Sequence, residues 1–231
     1  MKEVKVKLYK FEELSDEVKK SIVDKERWDV CHATMEGYAS DYQSTLEKFA
    51  ELMGIKVTSW SVDYCDYNFS FKFKSDYAFG DCWSCFWIYN EQCTGKLLRR
   101  WLNNNFLPRA LKPKLFVKYS AGYDKEKHRW NKHRYSKIQR ERWDNCPLTG
   151  MIYDCSVMEV VMEVLAKPIP ETYSLEDLIE DCLDKFFKDW QGEYEYWASD
   201  EGVKEQITNW YEDQLFYEDG TKFCGIYEDV A

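Results

Sequence analysis

From Leu175 to Trp190 every apolar side chain falls at helical spacing: Leu175, Leu178, Ile179, Cys182, Leu183, Phe186, Phe187 and Trp190, with Asp, Glu and Lys between them. A stripe of this length predicts a helix of four turns whose apolar face is buried against the rest of the chain. Ser174, with Asp177 three residues on, supplies a capping box in which Asp replaces the usual Glu. A second pattern has period two. Tyr67, Phe69, Phe71 and Phe73 alternate with Asn68, Ser70, Lys72 and Lys74, which predicts a strand with one aromatic face and one wet face, the antiparallel type. Together the two periods predict an α+β fold, a mainly antiparallel sheet with packed helices and a helical C-terminal part ending in a β-hairpin. With 231 residues, 45% hydrophobic and 32% charged, the chain has the length and composition to bury a core.

The remaining elements follow from weaker signals. Val4 to Tyr9 alternates as a strand. Ser15 caps a short helix carrying Leu14, Val18, Ile22 and Val23, and a second helix carries Tyr42, Leu46, Phe49, Ala50 and Met53, closed by Gly54. Strand character resumes at Ile55 with a change of phase near Thr58 and Ser59, the mark of a bulge. Trp83 to Tyr89 is apolar on both faces and predicts a central strand. Thr94 caps a helix with Leu97, Leu98, Trp101 and Leu102 inside, ended by Pro108. Lys114 to Ser120 reads as a strand, and Lys125 to Trp143 as a helix anchored by only Trp130, Tyr135 and Ile138. Cys146 to Gly150 is a loop, Val157 to Leu165 fits helix or strand, and Lys167 to Pro170 stops it. Val203, Ile207, Trp210 and Tyr211 mark a further helix, and Leu215 to Tyr227 a hairpin around Asp219-Gly220. With no repeat and no Gly/Ser linker, one domain over 1–231 is expected, with a sub-boundary at 167–173.

Several function classes lack their signatures. No apolar run approaches the roughly 20 residues that span a bilayer, and the first residues carry no apolar leader segment. Nine cysteines, an odd number, then predict reduced thiols and a cytoplasmic protein. Cys82, Cys85 and Cys93 hold half of a zinc signature, but no second pair completes it, so no metal or other cofactor is expected. His32, His128 and His133 have no chelating spacing. No nucleophile elbow, phosphate loop or dinucleotide fingerprint occurs, and no catalytic residue stands out, so a non-enzyme is expected.

Charge is segregated along the chain. Residues 96–142 contain 15 Lys and Arg against Asp124, Glu126 and Glu141, a net +12, in a chain of net −10. From Glu171 onward there are 18 acids and four lysines. Three readings stay open: basic and acidic segments pair within the fold; the basic segment faces nucleic acid; or an acidic surface competes for a site that normally holds nucleic acid, or an exposed aromatic patch grips a protein partner. The residues for nucleic-acid or partner binding are Arg129, Trp130, Lys132, Arg134, Tyr135, Arg140 and Arg142, with guanidinium and ammonium groups for phosphates and rings for stacking.

Further motifs, in order, are Leu8 to Val18, Cys146-Pro147-Leu148-Thr149-Gly150, Ser174 to Leu183, Tyr194-Glu195-Tyr196 with Ser199-Asp200-Glu201, and Phe216 to Phe223. In these the chain resembles a family of accessory proteins encoded by bacteriophages, prophages and other mobile elements, some bearing an antitoxin-type description. The likeness spans most of the chain and is least between Trp83 and Asn145. It implies a setting in the cytoplasm of an infected bacterial host and carries over no catalytic residue. The expected function is stoichiometric, protein-binding inhibition of a host defence system, for example a CRISPR nuclease, acting on that nuclease or nucleoprotein. The alternative is a nucleic-acid-binding or antitoxin-like regulator using residues 96–142.

Overall fold

The computed structural model describes residues 6–74, 93–111, 116–119, 122–124, 128–131, 135–138 and 146–224, and for the strands between 116 and 138 it gives the backbone. Helix and strand are mixed, an α+β protein in which helix outweighs sheet. The described residues group into two compact units, 1–39 with 63–65 and 191–231, and 40–62 with 66–190. Residues 167–173 lie inside the second unit.

Helix α1 runs from Asp16 to Met53. Where the sequence suggests two short helices, the chain forms one of 38 residues. The intervening stretch contains no proline, and Val30, Cys31, Thr34 and Met35 continue its buried side through polar surroundings. Ser15 receives the Val18 N–H on its hydroxyl at 3.4 Å, as a cap should. Gly54 follows the last turn with φ of 71°, a left-handed conformation that costs glycine little.

In the first unit, α1 packs against α6 (Asp200–Trp210) and the segments beside it. Phe11, Leu14, Ile22, Val23, Val30, Val203, Ile207 and Phe216 form one buried cluster. Ser199 caps α6 through the Gly202 N–H at 3.1 Å. Tyr9 and Phe216 exchange backbone hydrogen bonds of 2.9 and 2.8 Å. Around Gly220, with φ of 84°, the chain turns back and bridges Phe216 to Lys222. Beside that isolated bridge, the Tyr217 N–H donates to the Thr221 carbonyl at 2.9 Å and the Phe223 N–H to the Leu215 carbonyl at 2.8 Å, and the rest of the expected hairpin, from 225 on, lies outside the described residues. Lys222 donates to Glu26 at 3.0 Å and to the Tyr211 hydroxyl at 2.7 Å, tying the turn to α1.

In the second unit, β1 (Ile55–Val62) pairs antiparallel with β2 (Tyr67–Phe73), with a register shift between Val57 and Ser59 where the phase of the sequence changes. The β2 aromatics are half-buried and its polar residues exposed, so the two faces are as the alternation requires. Tyr67 and Phe69 stack near-parallel on Phe187 at 6.4 and 5.4 Å. The strand expected over Trp83–Tyr89 lies outside the described residues.

Helix α2 (Gly95–Trp101) passes through a π-helical turn (Leu102–Phe106) into α3 (Leu107–Ala110). Pro108 does not stop the helix. It has no N–H and its ring crowds the carbonyl four residues back, and the wider turn, with the Leu107 N–H on the Leu102 carbonyl, absorbs both. Leu97 is 47% exposed, unlike Leu98, Trp101 and Leu102, which are buried.

Helix α4 (Asp154–Ala166) resolves the Val157–Leu165 ambiguity, and α5 (Leu175–Trp197) buries all eight residues of the opening stripe. Burying each such side chain contributes roughly 1.5–3 kcal/mol. Ser174 and Asp177 exchange backbone–side-chain hydrogen bonds of 2.7 and 3.0 Å, completing the capping box.

The segment expected as a helix over Lys125–Trp143 contains strands instead. Strand β3 (Phe116–Tyr119) pairs antiparallel with β6 (Tyr135–Ile138), and β4 (Gly122–Asp124) with β5 (Arg129–Asn131). The pairings are nested in sequence and form two separate two-stranded sheets. A helix here would have had too few apolar anchors to hold a buried face, whereas antiparallel pairing satisfies the backbone without one.

Candidate functional site

The sequence-selected basic residues are only partly placed. Arg129 and Trp130 sit on β5, with Asp124 and Tyr123 as their Cα partners on β4. Tyr135 sits on β6, opposite Tyr119. Arg129 and Trp130 thus belong to one two-stranded sheet and Tyr135 to another. Lys132, Arg134, Arg140 and Arg142 lie outside the described residues, as do Cys82 and Cys85. The sequence over 112–142 carries 11 Lys and Arg against three acids.

Cys93 is 2% exposed, and burial pushes its thiol up to about 12. Burial thus favours the protonated thiol over the thiolate at neutral pH. Burial raises Cys182 and Cys31 as well, and each thiol meets a backbone carbonyl, that of Val157 and that of Tyr194. Among the described residues no group of three or more His, Cys, Asp and Glu side chains is arranged to hold a metal.

One buried carboxylate stands out. Asp154 is fully buried and accepts hydrogen bonds from the N–H groups of Leu148, Thr149 and Gly150 at 2.8, 2.7 and 3.2 Å. The hydroxyls of Thr45 and Thr149 donate to its other oxygen at 2.9 and 2.8 Å. Every partner belongs to the loop at Cys146–Gly150 or to α1, so Asp154 staples that loop to the start of α4. Its oxygens are occupied, and no face is left for a substrate.

In the first unit a cavity of about 360 Å³ is lined by Lys10, Glu12, Thr208, Tyr211 and Glu212 among others. Its mixture of one cation and two carboxylates selects no ligand.

The surface is more distinctive. Trp28 on α1 is 47% exposed and Tyr64, at the tip between β1 and β2, is 43% exposed. Their rings meet edge to face at 5.4 Å, and the His32 ring lies 6.2 Å from Trp28. The Cys65 N–H donates to Asp63 at 2.7 Å, and Gln191 donates to the Tyr64 carbonyl at 3.4 Å, so the tip is held from both sides. The Tyr194 phenol is raised by its burial, then by nearby Cys31 and Asp63. Asp29 and Asp63, next to Trp28 and Tyr64 in sequence, and Glu36, four residues beyond His32, are all exposed; on the same stretch of helix Lys25 is exposed and Arg27 is paired with Asp24 and Asp200. Two other exposed aromatics, Trp60 and Tyr196, are differently engaged. Trp60 packs against Phe187 and Trp190, and the Tyr196 hydroxyl donates to Glu205 at 2.7 Å.

The sequence reasoning did not select Trp28 or Tyr64. The signal was present for Trp28: two positions from buried Val30, it points about 160° away around a helix of 3.6 residues per turn. Comparison with protein-family models, curated proteins and solved structures finds no match. Function is therefore argued from the chain's own chemistry.

Proposed function

We propose that this chain works by binding: a phage or mobile-element accessory protein that stoichiometrically inhibits a host defence system, with an RNA-guided DNA nuclease as the target class. One observation carries the reading. The acidic excess is concentrated in a structural unit rather than spread over the molecule: the first unit holds 21 Asp and Glu against 10 Lys and Arg, net −11, while the second holds 21 against 22. A compact unit with that field is attracted to the positive groove in which a nuclease holds DNA, and like-charged partners are rejected. The resemblance of the N- and C-terminal segments to mobile-element proteins supports the same setting. Inhibition of this kind needs no reaction centre of its own.

The test is a titration of guide-loaded nuclease at fixed concentration, reading DNA cleavage. A stoichiometric inhibitor gives a break at a defined molar ratio; full cleavage at about a tenfold excess of this protein refutes the reading for that nuclease class.

A second reading rests on a different observation. The segment 96–142 contains two antiparallel strand pairs, each a two-stranded shape the DNA major groove admits, with Arg129 and Trp130 on one and Tyr135 on the other. As a nucleic-acid-binding or antitoxin-like regulator, the protein has an affinity for duplex DNA or RNA that falls steeply between about 50 and 200 mM salt. Charge reversal at Arg129, Lys132, Arg134 and Arg140 abolishes it. Affinity that is flat with salt removes this reading.

A further inference from the structure

We infer that Trp28, Tyr64 and His32 are the anchor by which the acidic unit grips its target, and that the surface they fit is a basic, DNA-contacting face of a protein. This rests on the inhibitor reading above and assigns its interface. The first ground is exposure with order. Trp28 and Tyr64 present nearly half their surfaces to solvent yet hold each other edge to face at 5.4 Å. Aromatic rings already fixed by packing lose little freedom on binding, and Trp and Tyr dominate the energetics of protein interfaces. The tip that carries Tyr64 is itself restrained, by the Asp63–Cys65 turn and by Gln191.

Charge complementarity names the occupant. Asp29 and Asp63, the sequence neighbours of Trp28 and Tyr64, and Glu36 are exposed, while Arg27 is taken up by Asp24 and Asp200 and leaves Lys25 as the exposed cation between Asp24 and Glu36, within a unit of net −11. Nucleic acid is repelled by such a surface, whereas a protein face built to hold phosphates offers Arg and Lys to the carboxylates. Arg guanidinium groups also stack on Trp and Tyr faces.

The experiment is displacement of a fluorescein-labelled DNA duplex from guide-loaded nuclease by the full chain, comparing wild type with Trp28→Ala, Tyr64→Ala, the pair Asp29→Lys/Glu36→Lys, and Trp210→Ala. Trp210, 46% exposed on α6, controls for loss of any surface tryptophan. The expected result is a rise of about tenfold or more in half-effective concentration for Trp28→Ala, a comparable loss for the charge pair, and a change within about twofold for Trp210→Ala. Should Trp28→Ala lose its far-ultraviolet circular dichroism, the charge pair decides alone. If wild type displaces DNA and Trp28→Ala, Tyr64→Ala and the charge pair all match it, the interface is overturned while the inhibitor reading stands. If wild type displaces nothing, both fall. Direct binding of the duplex by the protein alone through this patch, or self-association abolished by Trp28→Ala in sedimentation, assigns the patch to another occupant and overturns the inference.

Discussion

Asp154 shows what a single residue does when it is fully withdrawn from water. Its two oxygens serve three backbone N–H groups and two threonine hydroxyls. Replacing it with Ala leaves these donors buried without an acceptor, and stability should fall by on the order of 3 kcal/mol in urea unfolding. Asn, which keeps one acceptor oxygen, should cost less. The sequence shows Cys146–Gly150 as a loop but not what holds it, because a carboxylate's role depends on which groups it is buried among. Tyr67 offers a pH test. Its hydroxyl donates to Asp184 at 2.7 Å, and burial, then that bond, pushes the phenol from 10.0 up to about 12. The folded state thus holds the proton more tightly than the unfolded chain. Its contribution to stability is complete below pH 10 and is lost as pH rises toward 12. Tyr67→Phe should flatten the fall in urea midpoint across that window, and a measured slope equal to wild type would contradict the assignment. Among candidate site residues, Arg129, Trp130 and Tyr135 were legible because charge runs are visible in any sequence. Trp28 was not selected because its significance lies in which side of a helix it occupies.

Elements were legible where caps and periodicity agreed. The Ser174–Asp177 box, the α5 stripe, the Gly54 terminus and the β1 bulge are all where local rules put them. They failed where one signal was missing. The middle of α1 lacks a dense stripe, so a continuous helix looked like two, and residues 125–143 lack the anchors a helix needs, so strand pairing prevailed in β5 and β6. Two glycines inside helices give opposite predictions from their surroundings. Gly37 in α1 is exposed, and a Cβ there meets nothing within 4 Å. Gly37→Ala should raise stability by about 0.5–1 kcal/mol through helix propensity, seen as a higher thermal midpoint. Gly202 in α6 is buried, and its Cβ would lie 3.0 Å from the Trp197 Cα and closer still to the Tyr196 carbonyl oxygen. Gly202→Ala should therefore lower stability, by about 1–3 kcal/mol, because backbone must move to admit the methyl. Equal effects of the two substitutions would show that propensity alone governs both sites.

At the scale of the whole molecule, the prolines at 168 and 170 suggest a boundary, but the contacts run otherwise. The first unit is assembled from three stretches separated in sequence, 1–39, 63–65 and 191–231, so no contiguous fragment contains it. Helices α1 and α5 each supply residues to both units. Within the second unit, α5 lays Trp190 flat on Tyr42 at 4.3 Å and Cys182 against the Val157 carbonyl. Within the first, its last turns place Tyr194 beside Cys31 and Trp197 6.4 Å from Tyr38. Sequence reading misses this because local composition marks linkers, whereas discontinuous units are defined by pairings hundreds of ångströms of extended chain apart. A sharp prediction follows from the role of α5. Residues 1–168 without it keep the apolar faces of α1 and α4 but lose their cover, and residues 171–231 keep a stripe with nothing to pack on. Each piece expressed alone should bind a hydrophobic dye and lack near-ultraviolet circular dichroism. Co-expressed, the two should associate, lose dye binding and regain near-ultraviolet circular dichroism, because the apolar faces cover one another again without the covalent connection. A piece 1–168 that unfolds cooperatively by itself would instead make 167–173 a true domain boundary.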